Sequence, residues 1–137
     1  MDRRDLQALS RVRLKEAKAL LRGGMPDGAY YLAGYAVECA LKACIAKTTQ
    51  RHEFPDKGRV NSSYTHSLSK LVELAGLEKV RLALADSHAE FSENWGIVKE
   101  WSEESRYLAN DLETARTLVR AIEDRNHGII SWIRRYW

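Results

Sequence analysis

Long apolar runs are missing from this sequence. None approaches the roughly eighteen residues a membrane-spanning helix needs, so an integral helical membrane protein is excluded. Cysteine is scarce as well. The two present, Cys39 and Cys44, stand five apart in a stretch of helical character. That spacing puts them about 140° apart around a helix axis, and a bond between them would break the helix. No His or Cys follows at ligand spacing, so a metal site built on this pair is excluded too. Both cysteines are expected to be reduced core or interface residues, which points to a cytoplasmic location. Proline occurs only at positions 26 and 55, both natural helix boundaries. A large charge excess is also lacking: 22 Lys and Arg against 19 Asp and Glu leave +3. Nucleic-acid binding therefore cannot be read from net charge, only from where the charges sit. The charged opening Met1-Asp2-Arg3-Arg4-Asp5 does not fit a signal peptide.

What is present is a globular balance, 45% hydrophobic and 30% charged over 137 residues, expected to fold as one domain spanning residues 1–137. The first predicted helix runs from Asp5 to Leu21, with Leu6, Leu9, Ala17, Leu20 and Leu21 on one face, and Gly23-Gly24 stops it. Met25-Pro26-Asp27 opens a second helix reaching about Lys47, so rich in apolar and small residues that it reads as central to a bundle. Residues 48–64 read as a polar connection. Thr65 is the expected N-cap of a short helix through Leu68, Leu71, Val72 and Leu74, closed by Gly76. A fourth helix, Glu78 to Ala89, uses Val80, Leu82, Leu84 and Ala85. A further helical piece aligns Trp95, Val98 and Trp101, and the chain bends between Glu103 and Asn110. One long last helix is predicted from Asp111 to Arg134, turning Leu112, Ala115, Val119, Ile122, Ile129 and Ile133 inward. Nothing alternates with a two-residue period, so the fold class is all-α.

Four pieces of this pattern resemble a known family. Tyr31-Leu32-Ala33-Gly34-Tyr35-Ala36-Val37-Glu38-Cys39-Ala40-Leu41-Lys42-Ala43 is similar to the second helix of HEPN domains, alanine-rich with a Glu and a Lys four apart. Thr65-His66-Ser67-Leu68 resembles the family's Thr-His-x-Leu helix start. Ser105-Arg106-Tyr107 resembles its Thr/Ser-Arg-Tyr motif, and the alanine-spaced last helix follows in order. The resemblance implies an up-and-down antiparallel bundle of four to five helices, usually a homodimer, in a cytoplasmic, prokaryotic setting. It further implies a place beside a minimal nucleotidyltransferase, or within toxin–antitoxin or phage-defence systems. Some HEPN proteins are metal-independent RNases, and others bind nucleotides or partners without cutting. No cofactor and no metal is expected.

HEPN ribonucleases carry an Arg, four to six residues, then a His near the start of the last helix. The Arg holds phosphate while the His moves a proton, so no metal is needed. Arg106 occupies the matching place, but Asp111, Leu112 and Glu113 stand where the His belongs. Arg120 and His127 have the formal spacing further on. On a continuous helix they would point the same way, about 10 Å apart, although Asn126-His127-Gly128 can interrupt it. They are the candidate catalytic pair. The alternative is that Arg116, Arg120 and Arg134 form a solvated or intersubunit salt-bridging edge.

The candidate binding residues are Arg106, Tyr107, Arg116, Glu38, Lys42 and His66. Arg106 can grip phosphate with Tyr107 stacking beside it, or it can anchor the junction by bonding Glu38. Glu38 and Lys42, four apart, can pair. His66 is expected to make a structural hydrogen bond, and His52 and His88 to be exposed. Arg13 falls within the apolar stripe of the first helix, where burial would demand an acidic partner, with Glu38 the natural one. The closing Trp132-Ile133-Arg134-Arg135-Tyr136-Trp137 suits RNA stacking and also a protein interface. The expected function is an interaction, nucleotide- or RNA-binding module acting with a partner. A metal-independent endoribonuclease is the alternative.

Overall fold

The computed structural model describes residues 1–50 and 65–137. His52, Pro55 and most of the polar connection lie outside the described residues. Helix α1 (Arg3–Arg22) starts from a reciprocal cap: Asp5 N–H donates to the Asp2 carboxylate at 2.9 Å, and Asp2 N–H to the Asp5 carboxylate at 3.0 Å. After the Gly23-Gly24 stop, α2 (Pro26–Gln50) begins on its proline, whose missing N–H costs nothing in a first turn. The short connection folds the two helices into a hairpin, and their mutual packing is the most extensive among the described residues.

Small residues make that packing close. Ala29, Ala33, Ala36, Ala40 and Ala43 of α2 are fully buried, opposite Ser10, Leu14 and Ala17 of α1. Ser10 is buried without cost because its hydroxyl donates to the Ala36 carbonyl at 2.7 Å. Gly34 serves a second contact. A Cβ there would lie 2.2 Å from the Trp101 ring, so only glycine lets that indole lie on the helix.

Five shorter helices complete the described part: α3 (Leu68–Leu74), α4 (Glu78–Ser87), α5 (Ala89–Val98), α6 (Leu112–Glu123) and α7 (Ile129–Arg134). A 3-10 turn, Glu103–Tyr107, separates α5 from α6. The core joins Leu14, Val37, Leu41, Leu71, Phe91, Trp95, Leu118, Ile122, Ile129 and Ile133 among others. No strand occurs among the described residues, and none of their helices is long and apolar enough to cross a membrane.

Several sequence expectations need correction. The N-cap of α3 is Ser67, which accepts from Lys70 N–H at 3.3 Å; Thr65 instead accepts from Ser67 N–H at 3.2 Å. Leu82 does not join the core but is exposed, and Trp101, though buried, lies beyond the end of α5. The long last helix is two helices. Asp124 takes an extended ψ of 136° and its carboxylate accepts His127 N–H at 2.9 Å, which caps the turn. Gly128 follows within that turn, where a Cβ would fall 2.4 Å from the Asp124 carbonyl. Both halves nevertheless keep most of the predicted inward face: Ala115, Val119, Ile122, Ile129 and Ile133 are buried, while Leu112 in the first turn of α6 is only half-buried.

Candidate functional site

The Glu38 side chain is the one buried carboxylate among the described residues, only 3% exposed, and it is fully occupied. Lys42, one turn along α2, reaches one oxygen at 3.2 Å. His66, just ahead of α3, reaches the other through Nδ1 at 2.9 Å. The far ring nitrogen of His66 lies 3.0 Å from Glu103 at the start of the 3-10 turn. His66 is thus a strut between buried Glu38 and the turn that carries Arg106 and Tyr107. Beside it a recess of about 460 Å³ is lined by Thr65, His66, Ser67, Ser102, Glu103 and Glu104. Its two carboxylates make it a poor place for phosphate.

The turn itself faces outward. Tyr107 is 75% exposed, Leu108 is exposed, and the Arg106 guanidinium lies 4.7 Å over the Tyr107 ring. Tyr107 above all, together with a hydrogen bond to Tyr31, raises the Arg106 pKa. Tyr31 extends the aromatic surface, with Tyr35 at 6.1 Å and Trp101 at 6.0 Å between ring centres. The loop after the turn is pinned to α2, because Asn110 N–H donates to Asp27 at 2.6 Å. An exposed arginine set among aromatic rings on a braced turn can grip a phosphate and stack a base.

The place where a His would follow Arg106 is occupied structurally. Asp111 caps α6 by accepting Thr114 N–H at 2.7 Å, and hydrogen bonding from Thr114, first its side chain and then this N–H, holds its pKa down. Of the formal pair, Arg120 is exposed and faces Glu113 at 3.8 Å, a carboxylate it shares with Arg116 at 3.9 Å. His127 sits past the break after α6 with its ring 5.1 Å from that of His88, edge to face. The premise that one continuous helix aligns Arg120 with His127 therefore fails. His127 instead lines a recess of about 150 Å³ with His88, Phe91, Arg125, Ser131 and Arg135 among its neighbours.

Arg13 corrects another expectation. It is half-buried and pairs with Glu16 on its own helix, while Glu38 is held by Lys42 and His66. Sequence reading missed Glu103, Tyr31 and the His88–His127 contact, all of which depend on tertiary neighbours that no local spacing announces. No cluster of three or more His, Cys, Asp or Glu placed to hold a metal ion occurs among the described residues.

A family model described as HEPN domain matches residues 7–136 of the chain. No curated protein and no solved structure matches it.

Proposed function

The chain belongs to the HEPN domain family, and from that premise we propose that it is an interaction module that takes a nucleotide or RNA phosphate on the Arg106–Tyr107 surface. Membership itself supports a nucleotide- or RNA-binding or RNase-like module. The observation that carries the finer reading is the exposed Arg106–Tyr107 pair, braced from behind by Glu38, His66 and Glu103. In this reading the protein is a prokaryotic, cytoplasmic homodimer. It acts with a protein partner such as a minimal nucleotidyltransferase in a toxin–antitoxin or defence system. Arg106 and Tyr107 meet the ligand, Glu38, Lys42 and His66 position them, and Arg116 adds charge further along. A titration with a fluorescent adenine nucleotide tests it. Arg106→Ala is expected to weaken binding about tenfold or more, the worth of a charge-assisted hydrogen bond. Unchanged affinity in that variant would remove the proposed site.

A second reading rests on a different observation: the recess where His127 meets His88 beside Arg125 and Arg135. Two imidazoles and two guanidiniums are the ingredients of metal-independent RNA cleavage, with Arg120 the outlying partner. Cleavage in EDTA that vanishes in His127→Ala would favour it.

A further inference from the structure

Helix α1 carries a second pattern beside its apolar face. Arg11, Lys15, Lys18 and Arg22 recur at intervals of four, three and four, which places them in one stripe. At about 1.5 Å per residue the stripe is about 16 Å long. It borders a groove of about 310 Å³ whose lining is completed by buried Leu14, Glu123 of α6 and Arg134 of α7. Five cations therefore face one carboxylate, and Lys18 already engages that carboxylate at 3.1 Å. The resulting excess of four is larger than the +3 of the whole chain. Desolvation, and then the charge of Arg11, hold the Arg134 pKa below its ordinary value. At the same end the Trp137 ring carries two guanidiniums, Arg11 at 4.7 Å and Arg134 at 5.3 Å from its centre.

Like charges held this close repel one another, and a bound anion would relieve the repulsion. A linear row of cations matches a ligand whose negative charge repeats along a line. We propose that this groove binds the sugar–phosphate backbone of single-stranded nucleic acid, with Arg11 and Arg134 held at one end by the Trp137 ring. It shares no residue with the Arg106–Tyr107 surface, so either site can fail alone.

Fluorescence anisotropy of the full chain with labelled oligo(U) and oligo(dT) of about twelve nucleotides, over a salt series, is the test. Three to four phosphate contacts at about −0.7 each give an expected log–log salt slope of about −2 to −3. Combined Lys15→Glu and Arg22→Glu should weaken binding about tenfold or more and flatten the slope. Should the double reversal fail to fold by circular dichroism, Lys15→Gln with Arg22→Gln repeats the test more mildly. Preference for oligo(U) over oligo(dT), or parity between them, identifies the strand and supports the site in either case. Affinity unmoved by the charge changes would overturn it. So would competition by a polyglutamate peptide or anionic vesicles as strong as that by the oligonucleotide. Loss of the oligonucleotide with Arg106-dependent nucleotide binding intact supports a separate groove, and equal loss of both contradicts it.

Discussion

Glu38 shows how one residue couples the core to the surface. Its carboxylate is buried, yet each oxygen meets a cationic or hydrogen-bonding partner, Lys42 on one side and His66 on the other. Both partners reach solvent, so truncation leaves no fully buried charge, and the loss belongs at the low end for a buried pair. Glu38→Ala is expected to cost about 2 kcal/mol in urea denaturation. It should also weaken nucleotide binding, because the strut to Glu103 loses its footing. Glu38→Gln, which keeps the shape, should lose less, and equal losses would argue against the charge. The cysteines give a second residue-scale expectation. Burial pushes the Cys39 thiol up to about 11 and the Cys44 thiol up to about 12. A thiol-reactive dye at mildly alkaline pH should therefore label neither until denaturant is added. Since the fold disfavours both thiolates, these groups lower stability as pH rises past the ordinary thiol value of 9.0. Rapid native labelling would contradict this burial.

Among the elements, α2 is the one whose composition dictates its neighbours. Gly34→Ala places a methyl group where the Trp101 ring already lies, with an expected loss of about 2–3 kcal/mol by thermal unfolding. A neutral result would mean that Trp101 can move away freely. Helix boundaries were legible wherever glycine or proline punctuates the chain, as at Gly23-Gly24, Pro26 and Gly76. They were less so where several residues can cap. Thr65 and Ser67 both carry a hydroxyl, and only the fold shows which one closes α3. The last helix was misjudged because its apolar spacing continues through a break. Ile129 and Ile133 stay in the core after Asp124 has turned the chain. Of the candidate site, the Glu38–Lys42 pair was legible from helical spacing. The Glu103 brace was not, since it comes from a distant segment through a tertiary contact.

At the scale of the whole molecule, the ordered motifs were enough to identify the family, and the described residues form the helical bundle expected of it. The proposed homodimer is checked by sedimentation at tens of micromolar, where twice the chain mass of 15.7 kDa is expected. Monomer alone would contradict it. Binding without cutting fits a chain in which Asp111 caps α6 where a catalytic His would follow Arg106. It also fits the break after α6, which separates Arg120 from the recess that holds His127. The most direct measurement is incubation of the purified protein with total RNA and tRNA in EDTA, read on a denaturing gel. Intact RNA is expected at protein concentrations that saturate binding. Cleavage that disappears in both Arg120→Ala and His127→Ala would contradict the binding module and establish a metal-independent nuclease.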